Sequence, residues 1–303
     1  MSNKVMIVGT GNVGMSYGYT LVNQRTSVNE LVLVDIDTDD AEGEAMDLRD
    51  ALAVAPSYLK ISSGSYADAS DCDIIVITAG VPQKPGESRM ELLQKNSAIF
   101  KDMIAQIMAS GFDGIFVVVS NPMDVLSYLT WRYSGLPPER VIGSGTVLDS
   151  ARLSQRLSQR LGINTRSIHA YQIGEHGDSE FALWSSASVG GVKITSLIEP
   201  HELVEIEDFA RKEAYHIIEK KGATYYGIGV CLAHITNCIL GDEHRILPVS
   251  NYDELSDTYN GFPALLGRQG IIRRIGLELT ADEQNKLNHS IDTIKQAILE
   301  TES

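Results

Sequence analysis

His176 stands between two glycines, in the segment Gly174-Glu-His-Gly177. A histidine on an exposed turn of this kind can give and take a proton near neutral pH, which is the work of a general acid and base. The alternative is a structural histidine, which is the commoner use of a single His. Of the seven histidines in the chain, only His176 has this setting. It is therefore the first candidate for catalysis, provided that a charged partner lies beside it.

Asp149 and Arg152 are the candidate partners. They are three residues apart in Leu-Asp-Ser-Ala-Arg, within a segment predicted to be helical, so they share one face of that helix. In one interpretation Arg152 binds a substrate carboxylate through two parallel hydrogen bonds, while Asp149 stabilises the charged form of a catalytic base. In the other they form a surface ion pair that contributes little. The two residues by themselves leave both interpretations open.

A glycine-rich loop, Gly9-Thr-Gly11-Asn-Val-Gly14, follows a predicted strand and opens a predicted helix. Gly9 permits the tight turn, Gly11 lets the backbone approach a pyrophosphate, and Gly14 lets the helix pack on the strand. The helix N-terminus supplies N–H donors to the phosphates. Asp35 closes the next strand, where a carboxylate accepts hydrogen bonds from ribose hydroxyls and repels a 2′-phosphate. The pattern predicts NAD rather than NADP; a plain strand–turn–helix is the alternative.

Two further segments follow predicted strands. Residues 81–89, rich in Pro and Gly, can form a lid that carries Arg89 into a closed site, or a solvated loop in which Arg89 pairs with Glu87 or Glu91. Asn121, in Ser-Asn-Pro, ends another predicted strand. Its side chain either points toward the ligand crevice at the carboxyl ends of the strands or only caps the next helix. Because the chain has no His-x-x-x-His and no Cys-x-x-Cys, we predict no metal site.

Strands and helices that alternate along the chain are predicted to position these residues. Apolar runs predict strands at 4–9, 31–35, 73–78 and 115–120, and residues 246–249 and 264–276 also look like strands. Helices are predicted at 12–24, 38–51, 91–110, 147–161, 206–221 and 225–240, and from a capping-box pattern at Thr280 to about residue 300. Continuous apolar strands between helices indicate a parallel sheet covered on both faces. The predicted fold class is α/β: a doubly wound parallel Rossmann sheet (residues 1–145) followed by an α+β substrate domain (residues 146–303).

The composition excludes several classes of protein. The chain has 303 residues and a net charge of −15, which argues against nucleic acid and anionic membrane surfaces as partners. It has no run of 18 apolar residues, and its N-terminus lacks the features of a signal peptide. Three scattered cysteines are too few for a disulfide framework. We therefore expect a cytoplasmic protein.

Taken together, the motifs resemble the L-lactate and malate dehydrogenase family, and its lactate branch in particular. They are GTGNVG (9–14), Asp35, TAGVPQKPGESR (78–89), SNPMDVL (120–126), GSGTVLDSAR (143–152), GEHGDSEF (174–181) and KGATYYGI (221–228). They occur in family order over nearly the whole chain. The resemblance implies an NAD-dependent dehydrogenase for a small 2-oxo acid substrate, pyruvate and L-lactate above all. It also implies a homotetramer or a dimer.

The resemblance further implies a role for each site residue. His176 gives a proton to the 2-oxo group, Asp149 stabilises the imidazolium, Arg152 binds the substrate carboxylate, and Arg89 polarises the carbonyl. The other implied substrate contacts are Gln83, Asn121, Asp124 and Thr224. The implied cofactor contacts are Gly9, Gly11, Val13, Gly14, Asp35, Tyr66, Gly80, Val81, Val119, Ser120, Asn121 and Ser144.

Two positions bear on substrate and regulation. Gln83 stands where the malate enzymes have Arg, so a second substrate carboxylate would be desolvated without a partner, which favours pyruvate over oxaloacetate. Many bacterial lactate dehydrogenases respond to fructose 1,6-bisphosphate through an Arg and a His; here His169 is present but Ser154 replaces the Arg. We therefore predict weak or absent activation. A 2-hydroxyisocaproate or malate dehydrogenase, and a non-catalytic NAD-binding protein, remain the alternatives.

Overall fold

The computed structural model describes residues 3–81 and 89–302, without the side chains of residues 89, 90 and 302. Within these ranges the helices are α1 (Asn12–Asn23), α2 (Thr38–Ala51), α3 (Arg89–Ala109), α4 (Met123–Ser134), α5 (Val147–Leu161), α6 (Pro200–Lys221), α7 (Tyr226–Leu240) and α8 (Ala281–Glu302). The strands of the first half are β1 (Lys4–Val8), β2 (Glu30–Val34), β3 (Lys60–Ser63), β4 (Ile74–Ile77), β5 (Ile115–Val118) and β6 (Val141–Gly143).

The remaining strands are short and lie in the second half. They are β7 (Ile168–His169), β8 (Gln172–Ile173), β9 (Phe181–Ala182), β10 (Ser188–Val189), β11 (Val192–Lys193), β12 (Arg245–Leu247), β13 (Ser250–Asp253), β14 (Thr258–Gly261), β15 (Ala264–Gly267) and β16 (Gly270–Arg274). All of them except β13 and β14 form three small sheets, in the orders β11-β10-β7, β12-β15-β16 and β8-β9. The hairpin β13–β14 joins the large sheet beside β6, where Ser250 is paired with Gly143.

The large sheet has the order β14-β13-β6-β5-β4-β1-β2-β3. Its six strands from the first half are parallel, in the order 3-2-1-4-5-6, which is that of a dinucleotide-binding doubly wound sheet. The predicted fold class is therefore confirmed. In such a sheet, ligands bind at the carboxyl ends of the strands, where the direction of winding reverses between β1 and β4.

Both faces of this sheet are buried, as the apolar runs predict. On β1, Val5 and Ile7 pack into the cluster formed with α1 and α7, while Met6 and Val8 pack into the cluster formed with α3, α4 and α8. Helices α7 and α8 thus come from the second half of the chain and cover the sheet of the first. The division of the chain near residue 145 stays a prediction.

Some predicted elements need correction. The single strand predicted at 264–276 is wrong: the segment is the antiparallel hairpin β15–β16, because Gly270 adopts a φ of +98° and turns the chain. Helix α6 begins at Pro200, six residues before the predicted start, since proline suits the first helical position. Strands β3, β6, β7–β11, β13 and β14 and helix α4 had no prediction. The capping box of α8 is confirmed: the Thr280 N–H donates to Glu283 at 2.9 Å, and the Glu283 N–H donates to the Thr280 hydroxyl at 3.3 Å.

Candidate active site

The glycine loop has the shape that a dinucleotide requires. Gly9 has a φ of +104°, and a Cβ there would lie 2.5 Å from the Ala79 nitrogen; a Cβ on Gly14 would lie 2.0 Å from the Gly9 oxygen. Gly11, by contrast, has no atom within 4 Å of its Cβ position, so the space beside it is open. Helix α1 begins there with no side-chain cap and no acidic residue in its first turn. Its N–H groups are therefore suited to a phosphate.

Asp35 lies directly after β2 and beside this loop. One of its carboxylate oxygens accepts hydrogen bonds from the Thr10 N–H at 2.8 Å and the Thr10 hydroxyl at 3.1 Å. The Thr10 hydroxyl also lies 3.0 Å from the carboxylate of Asp40. A 2′-phosphate would meet both negative charges, so the site fits NAD better than NADP. Ile36, which is 97% exposed, adds an apolar surface that sequence analysis missed.

Tyr66 and Val13 are two further residues predicted to contact the cofactor. Both are half-buried, and Tyr66 opens a short 3-10 turn (Tyr66–Ala69). Burial raises the pKa of Tyr66, and the charges of Asp102 and Asp35 raise it further. The hydroxyl of Tyr66 is therefore neutral beside Asp35 and can act as a hydrogen-bond donor.

The other predicted cofactor residues follow the ends of β4, β5 and β6, at one edge of the sheet. These are Gly80, Val81, Val119, Ser120, Asn121 and Ser144. Two hydrogen bonds connect their segments: Ser120 donates to the Ala79 carbonyl at 2.5 Å, and the Ser144 N–H donates to the Val118 carbonyl at 2.8 Å. With the glycine loop and Asp35 they form what we call the cofactor crevice.

Asn96 on α3 is a member of the crevice that sequence analysis missed. It is 1% exposed; its carbonyl oxygen accepts the Val81 N–H at 2.9 Å, and its amide donates to the Asn121 carbonyl at 3.2 Å. It therefore joins Val81, which follows β4, to the segment that follows β5. The signal in the sequence that could have identified Asn96 is a polar residue on the apolar face of a predicted helix.

Asn121 itself is exposed, and its peptide bond to Pro122 is cis. The N-cap of α4 is Pro122, so the interpretation of Asn121 as a helix cap is wrong. Among the described residues, its side chain has no hydrogen-bond partner. The amide is thus available to a ligand in the crevice.

His176, Asp149 and Arg152 form one buried chain of contacts. The Nδ1 atom of His176 lies 2.7 Å from one Asp149 oxygen, and Arg152 Nη1 donates to the other at 2.9 Å. The side chains of Asp149 and Arg152 are 4% and 8% exposed, so the interpretation as a surface ion pair is wrong. The His176 side chain is 28% exposed, which leaves it accessible to a substrate.

The neighbouring charges decide whether His176 is protonated. Burial alone would lower the pKa of His176, but the charge of Asp149 and its hydrogen bond raise it to about 9. Burial opposes the charge on Asp149 as well, yet His176 and Arg152 hold the pKa of that carboxyl below its usual range. At neutral pH the ring is therefore an imidazolium that can give up a proton.

Asp124 holds the backbone of His176. One of its oxygens accepts the His176 N–H at 2.7 Å, and the other accepts the Ser250 hydroxyl at 2.5 Å. Asp124 is 3% exposed, and burial raises its pKa to about 7. These contacts make Asp124 a positioning residue for His176, whereas its direct contact with substrate stays a prediction. Ser250, on β13, had no signal in the sequence.

Glu180 is a further buried acid that sequence analysis missed as a site residue. Ligand atoms of Glu180, Asp149 and His176 lie within 4.8 Å of one another. That spacing could suit a metal ion, but both oxygens of Asp149 already face the cationic groups of Arg152 and His176. We call Asp149, Arg152, His176, Asp124 and Glu180 the catalytic cluster.

The remaining predicted residues are placed as follows. Gln83 and the side chain of Arg89 lie outside the described residues, although the backbone of Arg89 begins α3. Thr224 is half-buried in the turn before α7. His169 is exposed on β7, and Ser154 is half-buried on α5.

Comparison with known proteins agrees with this geometry. Residues 3–143 match the family described as lactate/malate dehydrogenase, NAD binding domain, and residues 146–303 match the lactate/malate dehydrogenase, alpha/beta C-terminal domain. L-lactate dehydrogenase 2 of Bacillus cereus is 49% identical over 306 aligned residues, which cover 98% of this chain and 97% of that protein.

Two solved structures are similar along nearly their whole length. A lactate dehydrogenase from a Medee basin deep-sea metagenome library has a TM-score of 0.97 at 47% identity, covering all of both chains. The minor L-lactate dehydrogenase from Enterococcus mundtii, in its ligands-bound form, has a TM-score of 0.96 at 42% identity, covering 98% of each chain. With both family matches spanning almost all of its length, the chain belongs to the lactate/malate dehydrogenase family and binds NAD.

Proposed function

We propose that this protein is an L-lactate dehydrogenase, which interconverts pyruvate and L-lactate. The observation that carries the proposal is the buried contact chain from Arg152 through Asp149 to His176, at 2.9 and 2.7 Å. A guanidinium and an imidazolium that share one carboxylate can bind a substrate carboxylate and move a proton. The similarity to proteins named L-lactate dehydrogenase supports the same conclusion.

The residues of the cluster divide the work between binding and proton transfer. Bound NAD(H) supplies or accepts the hydride. Arg152 has five N–H donors, one of which contacts Asp149, and the others suit the substrate carboxylate. Because His176 Nδ1 faces Asp149, its Nε2 atom carries the proton that passes to the 2-oxo oxygen in reduction. In oxidation the same atom takes the proton back.

Arg89 completes this arrangement in the proposal. As negative charge develops on the carbonyl oxygen, the guanidinium of Arg89, at the start of α3, would stabilise it where water is excluded. Asn121, whose amide has no partner among the described residues, and Thr224, in the turn before α7, would contact the substrate from the other sides.

We propose the cofactor contacts from the positions of these residues in the cofactor crevice. The N–H groups around Gly11 and Val13 would hold the pyrophosphate, and Asp35 the ribose hydroxyls. Tyr66 and Ile36 lie where the adenosine end would bind. The strand-end residues Gly80, Val81, Val119, Ser120 and Ser144 would flank the nicotinamide half.

A panel of 2-oxo acids tests the proposed substrate. With NADH, we expect kcat/KM to be highest for pyruvate, ahead of 2-oxoisocaproate and oxaloacetate, because Gln83 offers no charge to a second carboxylate. The matched control is Gln83→Arg, for which we expect the ratio of oxaloacetate to pyruvate to rise by about 10-fold or more. If pyruvate ranks last, the protein is another L-2-hydroxyacid dehydrogenase. If no 2-oxo acid oxidises NADH, it is a non-catalytic NAD-binding protein.

The protein is also proposed to be a homo-oligomer. Apolar side chains are exposed after α2, where Val54 and Tyr58 are 91% and 94% exposed, and on α6 and α7 at Ile218 and Tyr226. Such surfaces favour contact with another subunit. Light scattering at several concentrations should give two or four times the chain mass of 33.1 kDa; a mass of one chain throughout would reject the proposal.

The location is proposed to be the cytoplasm. All three cysteines are free and buried, as expected for a reducing compartment. Among the described residues, the helices are too short or too polar to cross a membrane. Fractionation of cells that express the natural gene, with antibody detection, tests the location.

A further inference from the structure

Glu180 touches the proposed catalytic machinery but has no part in the reaction described above. It lies just before β9, with 3% of its surface exposed. A carboxyl oxygen of Glu180 lies within 4.8 Å of one of Asp149, and both acids are buried. Two ionised carboxylates this close would repel each other away from water, so the arrangement favours a proton on one of the pair.

The neighbours of the pair decide which acid holds that proton. Asp149 contacts the cations of Arg152 and His176, which keep it ionised. Burial raises the pKa of Glu180, and the adjacent charge of Asp149 raises it further, against the weaker opposing effects of Arg152 and Arg211. Of the two acids, Glu180 is therefore the one that favours the protonated form.

Four of the other titratable groups near Glu180 have partners of their own. Glu180 lines a cavity of about 240 Å³ whose other titratable groups are Asp178, Glu207, Arg211, Lys286 and His289. Arg211 donates to Asp208 at 2.9 Å, and Glu207 accepts the indole N–H of Trp184 at 2.8 Å. Asp178 accepts the Tyr215 hydroxyl at 2.8 Å, and Lys286 pairs with Asp282 at 3.0 Å. These contacts engage Arg211, Glu207, Asp178 and Lys286 with groups other than Glu180.

We propose that Glu180 is a positioning residue, whose neutral carboxyl group donates to Asp149 and sets how strongly Asp149 holds the His176 imidazolium. Asp149 then receives three donors: Arg152 and His176 on its two oxygens, and the Glu180 O–H. A third donor spreads the negative charge of Asp149 and keeps the carboxylate in the plane that His176 needs. Without it, Asp149 would attract the proton of His176 more strongly, and His176 would release that proton less readily to a substrate.

The proposal rests on the proposed dehydrogenase reaction, and pH profiles of two variants test it. Glu180→Gln keeps a neutral donor, so we expect the alkaline limb of kcat/KM for pyruvate to stay where it is in the wild type. Glu180→Leu removes the donor, so we expect kcat to fall about 10-fold and the limb to move to higher pH.

Glu207→Gln is the matched control, because it removes a charge from the same cavity without touching Asp149. Its pH profile should match that of the wild type. If Glu180 were ionised, Glu180→Gln would remove a negative charge near His176 and move the limb to lower pH, and this result would overturn the proposal. Loss of activity in Glu180→Leu with an unmoved limb would show a merely structural role and would overturn it as well.

A spectroscopic measurement is independent of activity, and of whether Glu180→Leu folds. The infrared difference spectrum of wild type minus Glu180→Gln at pH 7 should contain the C=O band of a protonated carboxylic acid, and the Glu207→Gln difference spectrum should lack it. Absence of that band in the first spectrum would reject a neutral Glu180. Failure of the proposed function would instead appear as a wild type that turns over no 2-oxo acid.

Discussion

The cofactor crevice and the catalytic cluster solve the same problem, binding an anion to an acidic protein, in different ways. The crevice offers backbone N–H groups of α1 and glycines that keep side chains away, with no positive side chain in its loop. The catalytic cluster instead buries charged side chains and balances them against one another, as Asp149 does with Arg152 and His176. Backbone dipoles do not titrate, whereas buried charges do. The comparison therefore predicts that pH and side-chain changes affect the two regions separately.

The largest expected effect separates chemistry from cofactor binding. In His176→Ala, turnover of pyruvate should fall by about 10³-fold, because the proton donor is lost, while NADH binding stays unchanged since no crevice residue is altered. Steady-state rates and NADH fluorescence titration measure the two. Turnover near that of the wild type would reject the role of His176. A parallel loss of NADH affinity would contradict the prediction that the two regions respond separately.

The next effect is the pH dependence of the cluster. Because the pKa of His176 is raised to about 9, pyruvate reduction, which needs the imidazolium, should be level below pH 9 and fall about tenfold per unit above it. L-lactate oxidation needs the neutral ring and should rise with pH up to the same value. Measurements of kcat/KM in both directions between pH 6 and 10.5 would test this. NADH affinity over the range should change little, and a limb near pH 6.5 would contradict the raised pKa.

Two glycine variants test the crevice. In Gly14→Ala the new Cβ would meet the Gly9 oxygen at 2.0 Å, so both the stability of the fold, by about 1–3 kcal/mol, and NADH affinity should fall. In Gly11→Ala the Cβ would enter open space, so NADH affinity should fall while the melting temperature is kept. Thermal unfolding and NADH titration measure both. Equal losses of melting temperature in the two variants would contradict the assignment of the space at Gly11 to the cofactor.

The smallest effect concerns fructose 1,6-bisphosphate. His169 is exposed on β7, but Ser154 brings no charge where related enzymes have Arg, so the KM for pyruvate should change less than about twofold on addition of the sugar bisphosphate. The variant Ser154→Arg, assayed in parallel, should gain sensitivity. A large drop in the KM of the unaltered protein at micromolar effector would show that anion binding here does not need that arginine.

The features that sequence analysis predicted correctly depend on residues close together in the chain. The glycine loop, its strand and its helix occupy residues 4–24, and alternating apolar runs suffice to predict a parallel sheet. The capping box at Thr280 is likewise a four-residue pattern. By contrast, the 264–276 segment was predicted as one strand although Gly267-Arg-Gln-Gly270 interrupts its apolar residues, and Gly270 reverses the chain there.

The amino-acid sequence by itself determined the α/β class, the NAD site and the identity of His176, Asp149 and Arg152 as candidates, because motif spacing and periodicity act over a few residues. Only the tertiary structure decided that the Asp149–Arg152 pair is buried, and that Asp124, Ser250 and Glu180 come together with His176 and Asp149. The contact between His176 and Asp124 joins residues 52 positions apart, and that between Asp124 and Ser250 joins residues 126 apart. Burial, and the pKa of His176 that follows from it, depend on which distant segments pack together.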